Sequence, residues 1–440
     1  MTRRRIAAGF FVAALAVTFG LISTREAAAP APASLTATAP AGPLLGVVRT
    51  PARESVLTRL SPRNLRPIGG RVPLERDAGA WSFSPDRARL VLANRSTPTL
   101  GRPTSLRFVD VRRMRALGQL VFPGDLGRVL VLGWFGRHRL VVVRSYCCSG
   151  RLTASLVDPV RRRILLSVAI EGSAAESVVR WGRSEEELAL LLVPRKSIGR
   201  ARILTIDRSL QVRSVTLERV RAGMVYPEPG TVRQREPGFA IDPAGRRAFV
   251  VGADEPVTEV SLSSLEVRYH GDEGLLGRLG SWLQPAALAK SVDGETRWAE
   301  WVDGGFLVVS GMDYSGEGRG SSAGVSLIDT HDWSSRTLDA EVQRFFVAGT
   351  SILTMRPTRS PRPGVSTGRG LGLYGLDGNL RLEGYEGSAV VGATLVDGEL
   401  HVGLDNGKRL GVRVLDPRSG RLLRAYAGSV PYVLVGGFGG

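Results

Sequence analysis

Apolar and polar positions along this 440-residue chain fall into a unit that returns about every fifty residues from residue 45 to the C-terminus. One arm, seen over residues 81–93, is an apolar strand, a polar Pro/Asp turn and a second apolar strand. Its companion, seen over residues 106–117, is again strand, charged turn, strand. The second arms are tracked by their turns. Asp110, Asp158 and Asp207 fall 48 and 49 residues apart, Ser263 takes the next place, and Asp329, Asp377 and Asp416 follow; Ser61 fills the position before Asp110. The first arms centre on Trp81, Trp134, Trp181, Phe239, Trp301, Phe345 and Gly392. No long amphipathic helical pattern interrupts them.

Units of this kind bury their faces only against neighbours. The chain begins with an arm that lacks its first strand and ends with a lone apolar strand, residues 430–435, that lacks its arm. Joining the two completes a blade across the chain ends and removes exposed sheet edges. The expectation is therefore all-β: a single β-propeller of four-stranded antiparallel blades over residues 44–440. Eight blades are favoured and seven are the alternative, with the ring closed by N- and C-terminal strands in one composite blade.

Residues 415–423 and 156–164 resemble the strand-turn-strand signature of bacterial YVTN-type propellers. Residues 83–92 and 239–250 resemble the inner-strand turn of TolB-like and tryptophan-aspartate-repeat propellers. Asp-Pro and Asp-Gly suit these places because they accept tight hairpin geometry. The blades centred on Phe345 and Gly392 depart from the pattern. The resemblance implies a fold and no chemistry, since such propellers serve as scaffolds, binders, lyases and oxidoreductases.

Outside the repeat, Arg3, Arg4 and Arg5 precede an uncharged apolar run from Ile6 to Ile22, and Ala27, Ala28 and Ala29 follow. This reads as a signal peptide over 1–29, with an uncleaved membrane anchor as the alternative. An Ala/Pro-rich linker spans 30–43. The expected location is extracellular or associated with the cell envelope, and membrane contact is expected only through the N-terminal segment if it is retained.

A formal net charge of +18 invites an anionic partner. Export argues against nucleic acid. Lysine occurs only at Lys196, Lys290 and Lys408, so the cationic character is almost wholly arginine. The expected binding residues lie on one rim, in the connections between second and third strands: Arg95, Arg102, Arg144, Arg151, Arg195, Lys196, Arg319, Arg356 and Arg359. Loops on a rigid scaffold are where binding usually resides, and the planar guanidinium suits phosphate and carboxylate. The opposite rim also carries arginine, at Arg112, Arg113 and Arg161 to Arg163. Cys147 and Cys148 are adjacent in the same loop set, and in an oxidising compartment they form either a vicinal disulfide or two free thiols.

Other motifs carry little. Gly320 to Gly324 fits G-x-S-x-G and Gly370 to Gly375 fits G-x-G-x-x-G, but neither opens a helix. Asp313 and Glu317 lack calcium-loop spacing. His138, His270, His331 and His401 fall in different units, with no metal-ligand spacing. No metal and no cofactor are expected. The reading is a binding or scaffold protein, acting as a monomer, that recognises an anionic envelope polymer or protein partner through its basic loop rim. The alternative is a propeller lyase or hydrolase with Tyr146, Tyr226, His270 and Tyr314 in the central cavity.

Overall fold

The computed structural model describes residues 44–50, 54–74, 78–94, 103–122, 127–145, 151–183, 186–227, 231–242, 246–271, 292–302, 304–315, 319–342, 344–357, 368–406, 410–427 and 433–435. The expected signal segment and linker lie outside these residues, all within 1–43. Apart from one 3-10 turn, Ser173–Ala175, every regular element described is a β-strand. No helix among the described residues is long and apolar enough to cross a membrane.

Six sheets are separate, four-stranded and antiparallel: residues 78–121, 128–170, 238–270, 344–384, 389–427, and 45–73 joined by Val433–Val435. In the last of these, Leu45 pairs with Val435 and Val47 with Val433, so the first and last strands share a sheet. Each sheet packs on its sequence neighbour, and the 389–427 sheet packs on Val433–Val435, which closes the ring. Tyr426 adds a polar clasp there, its hydroxyl donating to the Arg63 carbonyl at 2.6 Å.

The core lies between sheets. Phe108 in one sheet meets Trp134 and Val142 in the next, and Leu156 meets Leu188 and Leu204; all are nearly inaccessible to solvent. Each such side chain contributes roughly 1.5–3 kcal/mol through burial. The outermost strands are much more exposed, as in Arg115–Val121 and Arg163–Ile170.

The expected count of eight blades, or seven, is corrected by residues 176–339. They form one nine-stranded sheet with two antiparallel groups of four joined by Val232–Glu236. The cause is strand length. Val212–Val225 runs for fourteen residues and hairpins onto Val232–Glu236. That strand then pairs in parallel with Val292–Val302, Val232 opposite Val292 and Glu236 opposite Thr296. The ring is therefore built from six four-stranded sheets and one fused sheet, while the all-β propeller class stands.

The turns before the outermost strands share one geometry. Leu65, Met114, Arg162, Leu265 and Trp333 all have φ between 47° and 62°, each four residues after the Ser or Asp that opens the turn. Left-handed backbone costs a non-glycine residue roughly 1–2 kcal/mol. Leu65 and Met114 offset that by burying their side chains. Arg162 instead points its guanidinium back to the Leu117 carbonyl of the preceding sheet.

Candidate anion-binding face on the turn rim

The tracked aspartates are turn builders. Asp110 Oδ1 accepts the Arg113 N–H at 2.9 Å, and Asp158 Oδ1 accepts those of Val160 and Arg161, each at 2.9 Å. Asp377 and Asp416 do the same for Asn379 and Arg418. The Arg161 N–H, with that of Val160 and the charges of Arg161 and Arg163, holds the Asp158 carboxyl below its ordinary range despite some burial. One carboxylate oxygen in each turn is thus already committed to the backbone.

Between the 78–121 and 128–170 sheets these turns enclose an open groove of about 550 Å³. It is lined by Asp86, Ala88, Arg89, Asp110, Arg112, Arg113, Leu117, Arg137 and His138, so the two kinds of hairpin turn share this rim. Asp86 Oδ1 is taken by the Ser84 hydroxyl at 2.6 Å and the Ala88 N–H at 3.1 Å. Burial works to raise this carboxyl, but those hydrogen bonds and the charges of Arg137 and Arg89 outweigh it and keep it ionised below the usual range.

The cations are far less engaged. Arg137 approaches Asp86 only to 3.6 Å and Arg113 approaches Asp110 only to 3.7 Å, with side chains 70% and 75% exposed. The exposed Arg112 guanidinium has no partner among the described residues, while its carbonyl accepts Arg59 Nη1 at 3.1 Å. Arg89 Nη1 reaches the Arg137 carbonyl at 3.4 Å and ties the groove walls together. Four arginines against two turn-bound aspartates leave the groove cationic, with the Arg112, Arg113 and Arg137 side chains turned to solvent.

Charge varies around this rim. The turn before the outermost strand carries Arg63 and Arg66 in the first sheet, Arg112 and Arg113 in the second, and Arg161 to Arg163 in the third. Farther round, the same turns carry Asp207 with Arg208, then Glu266, then Asp329 with Asp332, then Asp377, and the 389–427 sheet returns to arginine with Arg418 and Arg421. Three arginines in the acidic turns are occupied: Arg268 pairs with Glu266 at 2.9 Å, Arg336 donates to the Asp377 carbonyl, and Arg381 donates to that of Pro417 at 3.3 Å.

The loop rim, where the sequence pointed, is only partly described. Arg95, Arg102, Arg359, Cys147, Cys148 and Tyr146 lie outside the described residues, as do the side chains of Arg319 and Arg356. Arg144 is 5% exposed, its guanidinium 3.9 Å from the Phe122 ring centroid and its Nη2 donating to Ser155. Arg195 binds the Glu176 carbonyl at 2.5 Å and the Ser177 and Ser145 hydroxyls, so it clips two sheets together. Arg151 and Lys196 are exposed.

The residues named for an enzymatic centre have separate local partners. Tyr226 donates to Met224 Sδ at 3.0 Å, and Tyr314 to Met312 Sδ at 3.6 Å. His270 bonds Glu259 at 2.8 Å and stacks on Trp333 with ring centroids 3.7 Å apart. Among the described residues no three His, Cys, Asp or Glu side chains gather as metal ligands. Ser322 lies within Arg319–Asp329 and donates to the Val342 carbonyl at 2.5 Å, and Gly370 lies within Gly368–Tyr374.

A second charged cluster had no signal in the sequence. Over the 238–270 sheet, Arg235 sits 3.4 Å from Glu295 and 4.0 Å from Glu255, while Arg297 pairs with Asp313 at 2.7 Å. Glu255 Oε1 accepts the Arg221 N–H at 2.9 Å; its Oε2 is buried without a hydrogen-bond partner among the described residues. Burial raises the Glu255 carboxyl to about 7 against the pull of that N–H and Arg235, and raises Glu295 as well. These carboxylates lie forty residues apart in the chain, so no spacing rule joins them.

No protein-family description and no curated protein matches this chain. Solved structures do. The dihydro-heme d1 dehydrogenase NirN, in complex with DHE, superposes with a TM-score of 0.57 at 13% identity, covering 88% of this chain and 74% of that one. BamB from Moraxella catarrhalis gives 0.44 at 12% identity, covering 80% and 91%. Sqt1 from Saccharomyces cerevisiae gives 0.46 at 10%, covering 81% and 86%. The first likeness places the chain in the β-propeller class, and at that identity it speaks for the fold alone.

Proposed function

We propose that this protein is an exported binding module that recognises an anionic partner, an envelope polymer or an acidic protein, through the basic turns of its first three sheets. The observation that carries the reading is the groove between the 78–121 and 128–170 sheets. It presents Arg112, whose guanidinium has no partner among the described residues, with Arg113 and Arg137 held only loosely by aspartates that the turns already occupy. Guanidiniums left to water on a rigid rim are pre-organised for phosphate or carboxylate oxygens, and binding then costs little rearrangement.

The test compares the two rims. Arg112→Gln, Arg113→Gln and Arg137→Gln together should weaken binding to immobilised anionic envelope polymer at least tenfold and flatten its salt dependence, because exposed charges act through screened Coulomb attraction. Arg151→Gln with Lys196→Gln, on the loop rim, should change it less than twofold. Unchanged binding in the triple variant would overturn the reading, and a loss confined to the loop-rim variant would move the site to the opposite face.

A further inference from the structure

We infer that the ligand of this face is a linear polyanion laid across the turns of three consecutive sheets, and not a compact anion seated in the groove. The inference rests on the anion-binding reading above and adds the shape of the ligand. Its basis is a pair of exposed arginines in each of three successive turns: Arg63 and Arg66, Arg112 and Arg113, Arg161 and Arg163.

The turns are held at fixed separations. Arg59 Nη1 donates to the Arg112 carbonyl at 3.1 Å, joining the first sheet to the second. The Arg162 guanidinium donates to the Leu117 carbonyl, joining the second to the third. The acids of this arc do little to neutralise it. Asp110 and Asp158 each spend Oδ1 on backbone N–H groups, and Oδ2 stands 3.7 Å from Arg113 and 4.0 Å from Arg161. Exposed pairs at such distances are worth little.

A single phosphate or carboxylate in the groove would satisfy one turn and leave the charge of the other two uncompensated. A chain carrying an anion at each repeat meets all three, and each added contact is intramolecular once the first is made. Past the third sheet the turns bring in Asp207 beside Arg208, then Glu266, then Asp329 and Asp332, which weaken the hold on the same chain at that end, while Arg418 and Arg421 in the 389–427 sheet continue the arc beyond the first sheet.

The experiment measures binding of the full chain to inorganic phosphate, tripolyphosphate and long-chain polyphosphate at equal phosphate concentration. Long polyphosphate should bind at least tenfold more tightly than tripolyphosphate. Arg63→Gln with Arg66→Gln, outside the groove, should weaken the long chain severalfold and leave tripolyphosphate unchanged. Poly-L-glutamate should show the same dependence on length, because the inference concerns charge spacing and not the head group. Equal affinity for short and long chains, or no effect of the Arg63/Arg66 variant, would sink the linear ligand while leaving the anion site standing. If none of these anions binds, the anion-binding reading falls with it.

Discussion

Arg112 and Arg297 are the same residue type in the same ring and do opposite work. Arg112 ends in water on the turn rim with no partner among the described residues. Arg297 is 4% exposed, pairs with Asp313 at 2.7 Å, and also donates to the Met312 carbonyl at 3.2 Å. The difference comes from the backbone around them. Short hairpin turns put arginine beyond the ends of the strands, where no second sheet can cover it. The overlong strands of the fused sheet instead take up a fifth strand, Val232–Glu236, between them and bring Arg235 and Arg297 into contact with three carboxylates. Net charge is thus a poor guide to function in this chain, since several of its arginines, Arg195, Arg235 and Arg297 among them, hold strands or sheets together.

The contrast breaks most sharply at Arg297. Arg297→Met should cost about 2 kcal/mol in urea unfolding, below the penalty for breaking a fully buried pair because Asp313 keeps access to water. Gly311→Val should be similarly damaging. A Cβ there would stand 2.6 Å from both the Arg297 side chain and the Thr296 carbonyl, and the backbone cannot yield. Wild-type unfolding in both variants would show that the bridge adds nothing to the ring.

A smaller effect should appear with pH. Glu255 titrates near 7 in the folded protein, above its ordinary value of 4.5, because burial outweighs the Arg221 N–H and Arg235. Between those values the folded state holds a proton that the unfolded chain has released. Stability is therefore greatest at the acidic end of the window and falls as pH rises through about 7. Glu295, also raised, acts in the same direction. Discounted for the solvent that still reaches the side chain, the change is about 1 kcal/mol between pH 5 and pH 8. Glu255→Gln keeps an acceptor for the Arg221 N–H and should flatten this slope. A slope that persists unchanged in the variant would move the titration to another group.

These two regions also differ in how far the sequence revealed them. The turns were legible because an aspartate that caps an N–H two or three residues ahead is local chemistry: Asp110, Asp158, Asp377 and Asp416 do what their spacing suggested. The fused sheet was not legible. Its parallel pair sets Val232 against Val292, sixty residues apart, and residues 219–236 fit neither arm of the unit. Arg144 reads as a loop residue until pairing extends its strand to Ser145 and draws it over Phe122. The groove was visible only as arginines on the opposite rim, because its walls come from two sheets and only the fold brings Arg137 beside Asp86.

The smallest effect on stability is expected where the effect on binding is largest. Arg112→Gln with Arg113→Gln removes one side chain that has no partner among the described residues and one held at 3.7 Å by a committed aspartate. Such surface changes shift unfolding by no more than about 0.5 kcal/mol. The turn itself survives, because Asp110 holds it through the Arg113 backbone N–H and not through the side chain. A melting curve that overlays wild type, beside a severalfold loss of polyanion binding, would separate arginines kept for a ligand from arginines kept for the fold. A loss of stability comparable to that of Arg297→Met would mean that the turn arginines also hold the ring, and the contrast between the two regions would disappear.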